Sequence, residues 1–537
     1  MINFINFKMK NKSIKKFSIF LSLFFLFLTI TKIDYRTSEP HPWSTHDDAS
    51  YYFHAYTLGL DFDLDYSNQV STESNFSILN DSNNPVPTHP FGSGLLSSPF
   101  VTLGNILNSL FDATLKDENN IIYFFYSMAS IMFFFFTLFF IRKTLIAIKV
   151  EKIDSITVLA LLIGSGLAYY AFERFSMTPV YEAFAVSLIM YLSTIEKRKI
   201  YFFVGFFTFS FLMIRWVNYY LILLPIFVFY LMNKKENIKK YLITNPYYLF
   251  GLISGSGLFL AHTKTLYNFV GINPSKVSNY AGPATNLIDK FLNFSNLEKF
   301  VSIETFVSIL NDFTLILFSQ EFGLAWFSPV LFMMFYIVMK LFFTRKYEIF
   351  LLILIIVSIP LGIVILWQSV ASSYGYRYLF SLIPIAVLLS YKYLSTKEFK
   401  ILTTLNVFSI FLYLMFETNE LNSLREQINV FGVDVKYSAR YYIQGTFNSV
   451  LDLDSYLTII GTSFLAVIAI KFILIFIDLE TLLEFINNFG YLNDDVNRLI
   501  NYSNNMSLIE IMGYLVMIFY FAQKLINQRF LFNNKQN

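Results

Sequence analysis

The sequence predicts an all-α protein: a polytopic transmembrane helix bundle of about 11–13 spans, with a large first extracytoplasmic loop that carries short helices. Three observations predict this class. Apolar runs as long as a bilayer is thick recur along the whole chain. Hydrophobic residues make up 55% of the 537 positions against 14% charged, which leaves no stretch with the composition of an ordinary soluble domain. Basic residues gather on every second connection between the apolar runs. The 64 Phe and 36 Tyr carry no separate weight, because a chain also rich in Ile, Asn and Lys can owe them to an AT-rich coding sequence. There is no cysteine, so disulfide staples and thiolate metal sites are excluded.

In chain order, Lys8, Lys10, Lys12, Lys15 and Lys16 precede an apolar segment from Phe17 to Ile33. The sequence Thr31-Lys32-Ile33-Asp34 lacks a small-residue cleavage site, so this segment reads as an uncleaved first span with a cytoplasmic N-terminus. Further spans are expected near 121–141, 155–172, 180–195, 200–214, 216–232, 245–262, 325–343, 348–366, 377–395, 400–416, 456–477 and 507–523. Leu297 to Phe318 reads as an interfacial amphipathic helix or a re-entrant piece. The basic connections carry Arg142, Lys143, Lys149 and Lys152, then Lys197 to Lys199, Lys234 to Lys240, Lys340 to Lys346 and Lys392 to Lys400, and are cytoplasmic by the positive-inside rule. Residues 1–395 form one expected module and 396–537 a C-terminal membrane region with an outer loop at 417–455. In that region the charge bias reverses, with acidic 478–505 counted inside and Lys524, Arg529 and Lys535 outside.

The remaining connections all fall on the outside, and they hold the unusual polar clusters. The loop from Asp34 to Asn120 has twelve Asp or Glu residues against Arg36 and Lys116. Within it, Asp47-Asp48 is an adjacent carboxylate pair followed by aromatics at helical spacing, suited to removing a proton from a hydroxyl or, more plainly, to capping a helix from Ala49 to about Leu60. Asp61-Phe62-Asp63-Leu64-Asp65 resembles the start of a calcium loop, but Tyr66 and Thr72 stand where that loop needs glycine and an acid. His89-Pro90-Phe91-Gly92 reads as a turn that lays Leu95 to Phe111 along the membrane surface. Glu173, Arg174 and Glu182 bracket Pro179 and are expected to pair with one another. Arg215 lies between two apolar runs, where an unpaired charge is costly, so it is expected to face a polar cavity. Glu321 lies in Phe318 to Pro329, and Tyr374-Gly375-Tyr376-Arg377 meets the outer end of another span; both combine aromatics, a glycine and a charge. Arg377 beside a glycine has the fork of donors that clamps a phosphate.

Together these motifs resemble a family. Asp47-Asp48 is followed by Ala55-Tyr56-Thr57-Leu58 through Asp61, Asp63, Leu64 and Asp65 to Asn68; then come His89-Pro90-Phe91-Gly92, Leu317 to Pro329, and Tyr374 to Arg377 with Pro384, in that order. In these features the chain resembles a bacterial member of the C-type glycosyltransferase superfamily, close to the dolichyl-phosphate-mannose mannosyltransferases and the aminoarabinose transferase-like enzymes, over roughly residues 17–395. It departs from the pattern in having Asp48 where the relatives usually carry Glu, and His262, Lys264 and Tyr267 where a glutamine-containing segment is expected.

The resemblance implies an inverting transfer of a hexosyl or pentosyl group from a polyprenyl-phosphate carrier to an envelope glycan, lipid or protein at the extracytoplasmic face of the inner membrane. Asp47 is then the base, with Asp48 as its neighbour or an acceptor-orienting group. Arg377, Arg215 and Lys264 neutralise the leaving phosphate, while His89, Glu182, Glu321, Tyr374 and Tyr376 line the substrate site. No cofactor is required; a divalent metal is compatible but dispensable, since cationic side chains can do its work, and no residue set reads as a metal site. Nucleic acid is not among the expected partners. The competing class is a transporter or lipid-linked glycan flippase, which places charges and broken helices at the bilayer midplane, often in repeats; here the charges gather at outer helix ends and no repeat is visible.

Overall fold

The computed structural model describes residues 46–69, 77–79, 84–111, 119–150, 153–172, 174–268, 270, 303–318, 323–367, 376–415, 429–430, 433–434 and scattered positions between 473 and 523. The expected span at 17–33, most of 456–477 and 507–523 and nearly all of 417–455 lie outside the described residues, as do Glu173, Glu321, Tyr374 and the side chain of Asp47.

What is described is almost entirely helical. The outer-loop region gives α1 (His46–Leu60), a short antiparallel hairpin of β1 (Ser77–Leu79) and β2 (Pro85–Pro87), and α2 (Gly92–Phe111). Then follow α3 (Asn119–Ala147), α4 (Ser155–Ile163), α5 (Leu167–Phe172), α6 (Pro179–Ser193), α7 (Tyr201–Ser210), α8 (Leu224–Leu231) and α9 (Pro246–Tyr267). The later part has α10 (Ile303–Phe318), the single turn α11 (Leu324–Phe327), α12 (Pro329–Phe343), α13 (Tyr347–Trp367), α14 (Ile383–Tyr393) and α15 (Thr396–Met415).

Two of these helices are long and apolar enough to cross a membrane, over Ile121–Ala147 (27 residues) and Tyr347–Ile365 (19 residues); Pro179–Ser193, Tyr219–Leu231 and Pro329–Phe343 are apolar but shorter. Several expected spans are therefore divided. The run 155–172 breaks where Gly166 takes a φ of 81°, a left-handed conformation open to glycine. The expected boundary at Arg215 between 200–214 and 216–232 is present and drawn out, with 3-10 turns at Phe211–Met213 and Tyr219–Leu223 flanking it. The helix before Phe343 restarts at Pro329, and α14 is preceded by a 3-10 turn over Arg377–Leu382.

Start signals are local. Asp154 accepts from the Ile156 amide at 3.3 Å to cap α4, and Asn245 accepts from Tyr247 at 3.2 Å ahead of Pro246 to cap α9. The core is one apolar cluster running through α3 to α9 and α12 to α15, and a smaller aromatic cluster of Tyr52, Tyr123, Tyr126 and Phe175 joins α1 to α3. Helices α1 and α2 cross closely because Gly59 faces Val101 and Gly94 faces His54, where a Cβ would collide. Thr102 donates to the Gly59 carbonyl at 2.7 Å across the same crossing. Helix α15 docks on α4, with the Asn406 amide donating to the Ala160 carbonyl at 2.8 Å.

The connections sort into two mutually contacting groups. In one, Glu196 pairs with Lys234, Lys235 with Glu348, and Lys340 with Glu398, while the Asn245 amide donates to the Arg198 carbonyl at 3.0 Å. In the other, α1, the connector Arg174–Thr178, the turn Arg215–Asn218 and the turn at Arg377 meet one another. From Arg174 to Asn245, and again from Lys340 to Glu398, members of the two groups alternate along the chain, the pattern of antiparallel helices with two ends.

Candidate functional site

The second group of connections is built on five residues, Arg-Phe-Ser-Met-Thr at 174–178, between α5 and α6. The connector is held in a tight turn by backbone bonds from Arg174 N to the Tyr169 carbonyl (2.9 Å) and from Met177 N to the Arg174 carbonyl (3.2 Å). Its first and third side chains reach α1: Arg174 donates from Nε (3.1 Å) and Nη2 (2.9 Å) to Asp48 Oδ2, and Ser176 Oγ donates to Asp48 Oδ1 at 2.8 Å. Asp48 is fully enclosed. It lies inside the first turn of α1, so it does not act as the expected cap of a helix beginning at Ala49; the helix starts at His46. An acid in that first turn also suits the helix dipole.

The last residue of the connector serves a second ion pair. Arg215 donates from Nε to Glu182 Oε1 (2.6 Å) and from Nη2 to Thr178 Oγ1 (2.5 Å), Thr178 donates to Glu182 Oε1 (2.7 Å), and the Asn218 amide donates to Glu182 Oε2 (2.8 Å). Glu182 stands in the first turn of α6 after Pro179. Of the expected Glu173–Arg174–Glu182 grouping, Glu173 lies outside the described residues, while Arg174 pairs with Asp48 and Glu182 with Arg215. Packing explains the exchange. The tight turn of the connector carries Arg174 toward α1, and the break in helix at 215–218 brings Arg215 and Asn218 over Glu182, closer than sequence neighbours alone would indicate.

The fourth connector residue meets the third arginine. Arg377 Nη1 donates to Met177 Sδ at 3.2 Å, a weak bond by nature. Arg215 and Arg377 both lie against the Tyr378 ring, with the guanidinium carbons 4.5 and 5.3 Å from its centroid. Among the described side chains, three buried guanidinium groups and two buried carboxylates thus share one connector and one tyrosine face. Tyr376 is buried directly before Arg377.

Beside this cluster the His89 turn is clamped from two sides. Its carbonyl accepts from His54 Nε2 at 3.0 Å and from the Tyr267 hydroxyl at 3.1 Å, joining α1 to the end of α9. Because a carbonyl only accepts, His54 carries its proton on Nε2, and its Nδ1 accepts from the Tyr66 hydroxyl at 2.7 Å. Burial pushes His54 down to about 3, so it is neutral at physiological pH. The His89 ring sits 3.0 Å from Thr88 Oγ1 and edge-on to Tyr51, one turn beyond Asp48. Phe91 lies against His262, and Trp216, next to Arg215, against Tyr267.

The structure brings together Asp48, Glu182, Arg215 and Arg377, with His89 alongside. It leaves Lys264 apart: that side chain is exposed and bonds to Asn268 on its own helix end. Sequence reasoning missed Ser176, Met177, Thr178, Asn218, His54 and Tyr66. Asn218 had a usable signal, a lone amide three residues after an arginine in an apolar run; Tyr66 was weighed only as the wrong residue for calcium. Among the described residues no group of His, Cys, Asp and Glu is arranged to hold a metal ion. Comparison of the chain with protein-family models, curated proteins and solved structures returns no match to any of them.

Proposed function

We propose that the chain is a multi-pass membrane glycosyltransferase that moves a sugar from a polyprenyl-phosphate carrier to a glycan, lipid or protein acceptor at the extracytoplasmic face. The observation that carries this reading is the meeting of Asp48, Arg174, Glu182, Arg215 and Arg377 on one connector, directly beneath the start of α1. Inverting transfer needs a carboxylate for the acceptor hydroxyl and fixed positive charge for the departing phosphate, within one dry site. In the reaction, the acceptor oxygen attacks the anomeric carbon as its proton passes to Asp47. The bond from that carbon to the phosphate oxygen breaks with its electron pair, and polyprenyl phosphate leaves toward Arg377 and Arg215. A site on the outer face has no access to cytoplasmic nucleotide sugars, which favours a lipid-linked donor.

Multi-pass topology is supported by the alternation of the two groups of connections over 174–245 and 340–398, since the lysine-bearing connections fall in one and the acid–arginine cluster in the other. The test is to incubate detergent-solubilised protein with undecaprenyl-phosphate-linked hexoses and pentoses and an envelope extract, and to follow undecaprenyl phosphate release and sugar transfer. An enzyme gives both. A transporter or flippase gives neither, and that result with every donor overturns the proposal.

A further inference from the structure

Two adjacent carboxylates on α1 invite the assumption that both serve the proton transfer. The surroundings of Asp48 argue otherwise. Its Oδ2 accepts two bonds from one guanidinium and its Oδ1 accepts a hydroxyl, and none of its surface is exposed. An acceptor hydroxyl reaching this carboxylate would have to displace Arg174 or Ser176, both themselves buried. Charge-assisted bonds of this length are the strong ones. The connector they hold also carries Met177 and Thr178, the partners of Arg377 and Arg215.

Resting on the glycosyltransferase reading, we infer that Asp48 is a positioning residue that takes no proton. Its clamp to Arg174 and Ser176 fixes the first turn of α1, and hence the backbone at Asp47, at a set distance from the arginines that receive the phosphate. Neighbouring helix positions project about 100° apart, so a pinned Asp48 also fixes the rotation of the turn. Catalysis tolerates little error in such placement.

A neutral replacement of the clamp separates positioning from proton transfer. Asp48→Asn alone sets an amide against guanidinium donors, and Arg174→Gln alone leaves a buried carboxylate short of partners, whereas the two together restore an amide pair with matched donors and acceptors. The readouts are the thermal midpoint in detergent and the rate of transfer from the undecaprenyl-phosphate sugar that the wild type uses. Each single substitution is expected to lower the midpoint by several degrees and the rate by about a hundredfold. The double substitution is expected to recover most of the midpoint and to bring the rate within about tenfold of wild type, the non-additivity of a coupled pair. Two results overturn the inference: a double variant that regains its midpoint but stays as inactive as Asp48→Asn, or an Asp48→Asn protein that is fully stable and inactive. A double variant whose loss of midpoint equals the sum of the singles overturns the clamp itself. Failure of the wild type with every sugar donor sinks the glycosyltransferase reading instead, and the midpoint cycle still decides the clamp.

Discussion

Asn caps a helix about as well as Asp and has nearly its shape, so Asp47→Asn keeps both and removes the negative charge and, with it, the capacity to take a proton. If Asp47 is the base, turnover falls on the order of a hundredfold or more while expression is unchanged; a cap predicts a nearly silent exchange. Arg377→Lys is the companion measurement. It keeps the charge but loses the planar fork that reaches Met177 and lies on Tyr378, so the rate falls and donor KM rises if phosphate sits there. Normal kinetics in both variants would remove both residues from the site. His54 supplies a prediction of a different kind. It is held neutral in the fold, down at about 3 from an ordinary 6.5, by burial between Tyr66 and the His89 carbonyl. The unfolded chain takes up the proton first as pH falls, so this stability is complete above about 6.5 and is lost progressively toward 3. One proton gives a slope of at most about 1.4 kcal/mol per pH unit. Thermal midpoints between pH 7.5 and 4.5 should fall accordingly, and His54→Gln, less stable throughout, should flatten the dependence.

At the scale of elements, one close crossing among the described helices is made by glycines. Gly251 and Gly255, four residues apart on one face of α9, lie against the Phe202 and Phe206 carbonyls of α7, and Gly205 of α7 lies against the Tyr248 carbonyl. A Cβ at any of the three meets backbone, which cannot rotate away, so packing here depends on small residues at helical spacing as it does between membrane helices. Gly251→Ala or Gly255→Ala should cost about 1–3 kcal/mol, read as a lower thermal midpoint. Gly257→Ala on the same helix meets open space and should be neutral or slightly stabilising. Most helix positions were visible in the sequence: runs expected at 245–262 and 348–366 appear as Pro246–Tyr267 and Tyr347–Trp367. One of the two breaks was not visible. Within 155–172 the chain stays apolar through the interruption, so a hydropathy average runs straight across it and only local backbone geometry, the left-handed Gly166, reveals the turn; between 200–214 and 216–232 the charge of Arg215 already marked the boundary. The turn expected at His89–Gly92 does precede a helix, Gly92–Phe111. That helix exposes Leu95, Leu103, Ile106 and Leu110 along one edge, the stripe that lying on a membrane surface would use.

For the molecule as a whole, the residue types of the cluster were legible, because Asp48, Glu182, Arg215 and Arg377 are charges in an apolar chain. Who pairs with whom was not, because Asp48 and Arg174 are brought together by three-dimensional packing across 126 positions. That packing makes topology testable as a single claim. Asp48, Arg174, Arg215 and Arg377 touch or share partners, so they occupy one end of the bundle, and Glu196, Lys234, Lys235 and Glu348 occupy a common end through their own pairs. Between Arg215 and Lys234 runs one apolar stretch containing the 3-10 turn and α8, which places these two ends on opposite sides if that stretch crosses the bilayer. The chain has no native cysteine, so single cysteines report position without background. An impermeant thiol reagent added to intact cells should label Asn80→Cys in the acidic loop and should reach Asn237→Cys, among Lys234 to Lys240, only after the membrane is opened. Labelling of Asn237→Cys but not Asn80→Cys would invert the orientation and put the acid–arginine cluster in the cytoplasm, where nucleotide sugars are available and a lipid-linked donor would no longer follow. Labelling of both in intact cells would mean that the stretch between the two ends does not cross, and the shorter apolar helices would then be buried packing elements around the two long ones.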